Sequence, residues 1–349
     1  MDDLDFQDVN LDSQQLAEET PSENVFVAPS IDRAEILDGV SYSYYSPIPE
    51  LLNHDGEGCV LGIDEAGRGP VLGPMVYAVF YLPISMHQSL LAETHHFDDS
   101  KVLTPEVRSS LMEKLCTPDT DLFQNCGWAT TALSARNISA GMLKPVGAYN
   151  LNAQATDATV ALINGILDRG VNIREVYIDT IGQPAAYQRK LERIFPTLQI
   201  TVAAKADSLY PCVSAASVCA KVTRDAALEL SYEPYRERQP EGLQNDTSNT
   251  IAGWGSGYPS DGRTSSWLKQ NMDPIFGWGP ECRFSWGTAK EMLEVKNPTP
   301  KVDWPVDSED DSMKVTNFFS ISSMGNDTNG EVPDELCGWF GRRVTDTVF

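Results

Sequence analysis

The sequence predicts an α/β protein in which helices flank a sheet and a smaller helical extension follows at the C-terminal end. Two observations predict this class. Apolar runs of strand length alternate with segments of helical periodicity between residues 51 and 295, and that alternation is typical of α/β folds. From about residue 261 the pattern becomes helical again. With 349 residues, the chain is long enough for one large or two ordinary domains.

Charge divides the chain into a core and two acidic ends. Of the net charge of −24, residues 1–50 carry −11 and residues 296–349 carry −5, which leaves −8 for the rest. Both ends are rich in Ser, Asp, Glu, Asn and Pro without lasting periodicity. We therefore expect a disordered acidic arm over 1–50 and a mostly disordered acidic tail over 296–349. The mildly acidic core leaves room for a local basic groove.

Between the two ends we expect an α/β domain over 51–235, a variable polar loop over 239–255 and a helical lobe over 256–295. The run 75–82 is nearly all apolar after a Gly-Pro turn, which favours a central strand that forms a hairpin with the first strand. The predicted strands are 59–63, 75–82, 127–133, 175–179 and 200–204. The predicted helices are 152–167, 184–195, 212–230, 263–272 and 288–295.

Cysteine and histidine usage argues against several kinds of site. The seven cysteines are scattered without a C-x-x-C pair, and the chain has four histidines. We therefore do not expect a zinc site, a disulfide framework or catalysis built on histidine. The sequence has no run of 18 apolar residues and no signal-peptide pattern, so we expect a soluble intracellular protein.

The stretch GIDEAGRGPVLGP joins the first predicted strand to a glycine-rich loop. Asp64 and Glu65 end the strand, where carboxylates need water, a partner or a metal ion. Gly67 and Gly69 flank Arg68 and let a ligand approach the backbone closely. A nucleotide P-loop has the same spacing, but Arg68 and Gly69 stand where that loop needs Lys and Ser or Thr. The stretch therefore favours a site for metal and phosphate.

Three predicted strands lead into acidic residues: Asp64 with Glu65, Asp179, and Asp207. If these strands are parallel neighbours, the four carboxylates converge at one sheet edge, where open α/β sheets bind ligands. Oxygen ligands without His or Cys select Mg²⁺ or Mn²⁺. Two such ions about 4 Å apart could hold both the attacking water and the leaving oxygen of a phosphodiester. Each acid taken separately is more often a turn residue or a helix cap, and only their convergence favours a metal site.

Basic residues and one tyrosine accompany the acids. Lys205 comes two residues before Asp207, so we expect it to share that face of the strand. Lys101 follows an acidic pair, and Lys221 lies in a run of small residues on a helix that begins near Pro211. Such lysines either contact phosphates or form a solvated face. Tyr258, in a glycine-rich turn, either packs in the core or stacks on a base or sugar.

A set of ordered motifs resembles one known family. GIDEAGRGPVLGPMVYA, DDSKVL, YNLNAQATDAT, VYIDT, AKADSLYPCVSAASVCAKVTRD, GSGYPSD and RFSWGTA follow one another along the chain. Together they resemble the catalytic A subunits of eukaryotic type 2 ribonucleases H, within the ribonuclease HII family. The resemblance spans about residues 57–295 and leaves out 1–50, the loop 239–255 and the tail after 296.

The resemblance implies a ribonuclease H-like mixed sheet and hydrolysis of the RNA strand of RNA/DNA hybrids. It also implies incision on the 5′ side of single ribonucleotides embedded in duplex DNA, with 3′-hydroxyl and 5′-phosphate products. Such an enzyme would use two Mg²⁺ ions (Mn²⁺ as a possible substitute) and would act in the nucleus. Its role would be to remove ribonucleotides and RNA primers during DNA replication and repair.

The resemblance also assigns roles to residues. The catalytic and metal-binding acids of the family match Asp64, Glu65, Asp179 and Asp207. Its ribose-reading loop matches Gly67, Arg68 and Gly69, which fits the use of the 2′-hydroxyl to distinguish RNA from DNA. Its junction-sensing tyrosine matches Tyr258, which would pack on the deoxyribose that follows the ribonucleotide. We expect Lys101, Lys205 and Lys221 to contact the substrate beside them.

The same resemblance implies a heterotrimer with two non-catalytic subunits, docked through the C-terminal lobe. Residues 312–319, from Ser312 to Phe319, have the apolar and aromatic spacing of a sliding-clamp-binding box, although Ser312 replaces the usual Gln. The same apolar and aromatic residues would also be found in a tail that makes non-specific contacts or in one that packs on the core. Two rival functions stay open: a non-catalytic hybrid-binding scaffold, and a transposase-like nuclease of the same fold.

Overall fold

A mixed sheet lies at the centre of the computed structural model, which describes residues 26–52, 56–97, 103–145, 147, 149–237 and 253–295. Its strands, in the spatial order β1-β4-β3-β2-β5-β6, are β1 (Tyr42–Tyr45), β2 (Cys59–Ala66), β3 (Met75–Pro83), β4 (Gly127–Leu133), β5 (Ile173–Asp179) and β6 (Gln199–Ala203). Neighbours from β1 to β2 are antiparallel, whereas β2, β5 and β6 are parallel. The predicted hairpin between β2 and β3 is confirmed.

Helices connect and cover these strands. Several begin at a side chain that accepts the hydrogen bond of an otherwise unpaired backbone N–H, as Thr104, Thr120, Ser134 and Asn150 do. The described α-helices are α1 (Arg33–Leu37), α2 (Pro105–Cys116), α3 (Asp121–Asn125), α4 (Ala135–Met142), α5 (Leu151–Leu167), α6 (Pro184–Ile194), α7 (Pro211–Glu237), α8 (Gly262–Gln270) and α9 (Gly287–Val295). The predicted α/β class is therefore confirmed.

The central strands of the sheet are buried on both faces. Alternate residues of β2 point in opposite directions, so Leu61 joins a core with α5 and α6, while Val60 joins another with α2 and α7. All nine residues of β3 are buried, as expected of a central strand. The architecture is a three-layer arrangement in which the sheet separates two helical layers.

Helix α7 lies directly against the backbone of β2. A Cβ atom added to Gly62 would lie 2.2 Å from the carbonyl of Cys212, so a larger residue would push the helix away. The small residues that begin α7 are buried in the same contact. This close approach places the start of α7 beside the carboxyl end of β2, where Asp64 and Glu65 lie.

A third apolar core lies under the C-terminal helices. Trp254, Trp267 and Trp278 pack there with Leu268, against Leu72 of the loop that follows β2. Trp254 is fully buried, and its ring meets that of Trp267 edge to face at 5.0 Å. The helical character predicted for the C-terminal region is confirmed by α8 and α9.

The structure corrects the expectation of a disordered arm over residues 1–50. Residues 26–50 contain α1 and β1, and β1 pairs with β4 from Tyr42 opposite Ala132 to Tyr45 opposite Ala129. Tyr42 and Tyr44 pack against one core and Tyr45 against the other. Acidic neighbours lowered the average hydrophobicity of this segment and concealed a short strand whose aromatic residues supply its burial. Residues 1–25 lie outside the described residues.

Other expectations differ in detail or lie outside the description. Helix α7 continues to Glu237, past Pro234 and beyond the predicted end at 230, and helices α2, α3 and α4 were not predicted. The tail 296–349 and most of the loop 239–255 lie outside the described residues. Within the described part of the chain, no helix is both long and apolar enough to cross a membrane.

Candidate active site

The carboxyl ends of β2, β5 and β6 form the acidic edge of the sheet. Ile63 pairs with Ile178, and Asp179 pairs with Ala203, so the three parallel strands end side by side. Asp64 and Glu65 lie at the end of β2, and Asp179 is the last residue of β5. The predicted parallel arrangement of these strands is therefore present.

Asp207 lies in a short turn beside the acidic edge rather than in a strand. It lies in a 3₁₀ turn, Ala206–Ser208, between β6 and α7, and it is buried. The backbone N–H of Ala206 donates to Oδ1 of Asp179 at 3.1 Å. This bond ties the turn that carries Asp207 to the end of β5.

Burial and mutual repulsion raise the pKa of two of these acids. Burial raises the pKa of Asp64 well above its usual value, and the charges of Glu65 and Asp179 add to that rise, although a hydrogen bond from Ser217 opposes it. Burial also raises the pKa of Glu65 to about 7, against the opposing charge of Arg68. The ionised forms of Asp64 and Glu65 are therefore disfavoured at the acidic edge, mainly because the two carboxyl groups are buried.

The residues at this edge fit a divalent cation by their chemistry. Among the residues that the structure describes, no three Asp, Glu, His or Cys side chains are arranged to hold a metal ion as they stand. The four acids nevertheless offer oxygen donors, which suit Mg²⁺ or Mn²⁺. Burial is the main cause of the raised pKa of Asp64 and repulsion from Glu65 and Asp179 adds to it; a bound cation would favour the ionised carboxylate against both.

The glycine-rich loop after β2 is held closely by its surroundings. Gly67 has a φ of +79°, and a Cβ there would lie 2.8 Å from the carbonyl oxygen of Pro74. A Cβ on Gly69 would lie 3.1 Å from the ring of Tyr258. The structure thus brings Tyr258 against the predicted ribose-reading loop. The loop itself begins at Gly67, two residues after Glu65 of the acidic edge.

Two further side chains fix the position of this loop and of Tyr258. Arg68 donates to Oδ1 of Asn152, in the first turn of α5. The buried Arg224 donates to the carbonyl of Ser256 at 2.6 Å, and its guanidinium lies 6.0 Å from the ring centre of Tyr258. Both Asn152 and Arg224 lie inside motifs of the family resemblance, although neither was predicted to serve the site.

The predicted lysines differ in their placement. The expectation that Lys205 shares a strand face with Asp207 is wrong, because β6 ends at Ala203 and Lys205 is exposed with a left-handed φ of +56°. Lys221 lies one turn after Ser217 on α7, and its ammonium group is 3.3 Å from Asp225. Lys101 lies outside the described residues.

The carbonyl brace, which consists of Arg283 and Trp286, was not predicted. The buried Arg283 guanidinium donates to the carbonyl oxygens of Gly67, Arg68 and Gly73 at 2.6, 2.9 and 3.1 Å. Nε1 of Trp286 donates to the carbonyl of Gly69 at 2.9 Å. Both residues belong to the RFSWGTA motif, which was the one available signal, but nothing in the sequence says which carbonyls it reaches.

Comparison with known proteins identifies a family that the chain matches over most of its length. A family model described as ribonuclease HII matches residues 61–289. Two of the similar proteins are A subunits of ribonuclease H2. The one from Neurospora crassa is 59% identical over 319 residues, which cover 90% of this chain and 94% of that protein. The one from Homo sapiens is 44% identical, and the match covers 78% of this chain and 85% of that protein.

A solved structure shares the fold. The crystal structure of ribonuclease H2 from Pyrococcus horikoshii OT3 is 27% identical in sequence, with a TM-score of 0.51. The match covers 68% of this chain and 97% of the archaeal one. The chain is thus similar to ribonucleases of type 2 along nearly the whole of its described core.

Proposed function

Because this chain belongs to the ribonuclease HII family, alongside the A subunits of eukaryotic type 2 ribonucleases H, we propose that it cuts DNA duplexes on the 5′ side of a single embedded ribonucleotide. The chain is a ribonuclease H, an endonuclease that acts on RNA/DNA hybrids. The proposal extends this activity to one ribose in a DNA context and assigns its chemistry to named residues.

One observation carries the proposal: the ring of Tyr258 lies against Gly69, in the loop that follows the strand carrying Asp64 and Glu65 near its end. A tyrosine ring can pack on a deoxyribose, and backbone groups of a glycine loop can reach a 2′-hydroxyl. A surface that tests both sugars of an RNA–DNA junction therefore adjoins the acids that would cut there.

The four acids would hold two divalent ions, Mg²⁺ or Mn²⁺, which supply an activated water and stabilise the leaving oxygen. Asp64 and Asp207 would bridge or bind both ions, while Glu65 and Asp179 would complete their ligand shells. The hydrogen bond from Ser217 to Asp64, and that from Ala206 to Asp179, would orient two of the carboxylates. The products would carry 3′-hydroxyl and 5′-phosphate ends.

Substrate phosphates would lie beside the acidic edge. Lys221 follows Ser217 by one helical turn and keeps its ammonium group partly exposed. Lys205 and Lys221 would contact the scissile and neighbouring phosphates, and Lys101 would contact the substrate beside them. These contacts would set the register of the duplex and make its affinity depend on salt concentration.

The test uses three duplexes of one sequence: an RNA/DNA hybrid, a DNA duplex with one ribonucleotide, and an all-DNA duplex. The proposal predicts cleavage of the hybrid, a single cut on the 5′ side of the ribonucleotide, and no cut in all-DNA. Binding without cleavage would favour the scaffold function, and cleavage of all-DNA would favour a transposase-like nuclease. Mapping the ends of the products checks the predicted 3′-hydroxyl and 5′-phosphate.

For assembly, we propose a heterotrimer with two non-catalytic subunits that dock on the C-terminal lobe, and action in the nucleus on ribonucleotides and RNA primers left by replication. We assign catalysis to residues 51–235 and docking to 256–295. Residues 312–319 would bind a sliding clamp, although they lie outside the described residues. Co-purification of the full chain with and without residues 296–349 would test that contact.

A further inference from the structure

The carbonyl brace forms a hydrogen bond with the backbone carbonyl of every residue of the ribose-reading loop. Arg283 and Trp286 together donate to the carbonyl oxygens of Gly67, Arg68 and Gly69, all within 2.9 Å. The Arg283 guanidinium also lies 4.8 Å from the centre of the Trp286 ring, which holds the two donors in one arrangement. Each carbonyl of the loop therefore faces the C-terminal lobe.

The charge of Arg283 makes this grip strong. Burial, with the nearby Arg224 charge, lowers the pKa of Arg283 to about 9, so the guanidinium remains charged at neutral pH. Among the described residues, no ion pair includes Arg283. A fully buried cation needs compensation, and the loop carbonyls provide it through charge-assisted hydrogen bonds.

Peptide geometry extends this observation to the N–H groups of the loop. In a planar trans peptide, the carbonyl of one residue and the N–H of the next point in opposite directions. When the carbonyls of Gly67 and Arg68 face the brace, the N–H groups of Arg68 and Gly69 therefore face away from it. Pro70 follows Gly69 and has no N–H, so the loop offers these two donors together.

We propose that Arg283, together with Trp286, is a positioning residue that turns the peptide planes of the loop so that the N–H groups of Arg68 and Gly69 meet the ribose 2′-hydroxyl. This inference rests on the proposed ribose-reading function of the loop. Arg283 contacts the loop backbone and not the substrate. Its removal would therefore lower selectivity for a single ribonucleotide more than it would lower the rate of the cleavage step.

The test compares the full chain with Arg283→Lys, Arg283→Gln and Trp286→Phe, assayed well below their melting temperatures with the subunits that co-purify. We expect kcat/KM on the single-ribonucleotide duplex to fall about 100-fold in Arg283→Gln, the scale at which small misplacements act. On a continuous RNA/DNA hybrid the fall should be about tenfold, because neighbouring riboses offer alternative registers. Arg283→Lys keeps the charge but lacks the planar fork. Compared with Arg283→Gln, it should be more stable to heat, but its ratio of kcat/KM on the single-ribonucleotide duplex to kcat/KM on the hybrid should stay below that of the wild type.

Trp278→Phe is the matched control, because the indole of Trp278 donates to the carbonyl of Leu268 within the same lobe at 2.9 Å. It should lower thermal stability as Trp286→Phe does and leave unchanged the ratio of kcat/KM on the single-ribonucleotide duplex to kcat/KM on the hybrid. A wild-type ratio in Arg283→Gln and Trp286→Phe, with or without lost stability, would overturn the positioning role. If the wild-type protein itself fails to cut the single-ribonucleotide duplex, the proposed function fails instead.

Discussion

The acidic edge and the ribose-reading loop are neighbours along the chain, yet they are stabilised in opposite ways. At the acidic edge, burial and like charges raise the pKa of Asp64 and Glu65, so the charged state is held at a cost. In the loop, the carbonyls of Gly67, Arg68 and Gly69 each accept a hydrogen bond from a donor in the C-terminal lobe. The carboxyl groups of the acidic edge are therefore disfavoured in their charged form, whereas the backbone of the loop is held in place by several hydrogen bonds.

This difference separates two requirements of a selective nuclease. Acids that must bind cations gain affinity from being unbalanced without them, because cation binding then relieves repulsion. A loop that must recognise a single hydroxyl gains selectivity from rigidity, since a flexible loop would accept other geometries. Activity and stability should therefore respond differently to changes in the two regions.

Asp64→Asn should have the largest effect on activity and the opposite effect on stability. Loss of a metal-binding carboxylate should lower cleavage at least about 10³-fold, on the scale of removing one strong charge-stabilising group. Because the raised pKa shows that ionised Asp64 is unfavourable in the fold, the metal-free variant should melt at or above the temperature of the wild type. Cleavage assays with calorimetry check both; near-wild-type cleavage would refute the catalytic assignment.

Gly62→Ala should test how closely α7 fixes the acidic edge. The added Cβ would meet the Cys212 backbone at 2.2 Å, so we expect a loss of about 1–3 kcal/mol in unfolding free energy. Urea denaturation measures it. Gly262→Ala is the control, since a Cβ at Gly262 meets nothing within 4 Å; equal stability of the two variants would contradict the packing argument.

Gly69→Ala should act on recognition. Its Cβ would lie 3.1 Å from the Tyr258 ring, so the ring must shift by a few tenths of an ångström. We expect roughly a tenfold loss of kcat/KM on the single-ribonucleotide duplex, a fraction of what larger misplacements cause, and a smaller loss on a continuous hybrid. Competition between the two substrates in one tube measures the ratio, and an unchanged ratio would separate Tyr258 from ribose selection.

The smallest effect should be a pH dependence of stability without metal. The pKa of Glu65 is raised from 4.5 to about 7, so the stability linked to its protonated form is fully present below pH 4.5 and is lost as the pH rises through about 7. In EDTA, the melting temperature of the wild type should therefore fall between pH 5 and 8 by a few degrees more than that of Glu65→Gln. If the melting temperatures of the two proteins change with pH in parallel, the raised pKa of Glu65 is contradicted.

The sequence predicted the acidic edge well because its signals are local. An apolar run that ends in acid shows both a buried strand and the point where it emerges, as β2 and β5 do. The extension of strand character to Asp207 was wrong, because Lys205 adopts a left-handed conformation and starts a turn. Local composition does not reveal one residue with a positive φ that is not glycine.

The brace could not be predicted for the opposite reason. Arg283 and its acceptors are separated by 210 to 216 residues, and no periodicity relates them. Strand β1 escaped prediction because its four residues lie within an acidic segment and are buried by pairing with β4. Long-range packing decided both features, whereas strand patterns and motifs record only what neighbours along the chain require.

Strand β1 has a consequence for the solubility of the protein. It occupies one margin of the sheet and hydrogen-bonds β4, so it covers a ladder that would otherwise offer open N–H and C=O groups. Exposed ladders of this kind recruit strands from other molecules and start aggregation. A chain cut between residues 45 and 59 would keep every residue assigned to catalysis and still present β4 as a template for self-association. With β1 in place, the open edge of the sheet is the short Tyr42–Tyr45 instead of the longer Gly127–Leu133, and a shorter edge is a poorer template for strands of other molecules.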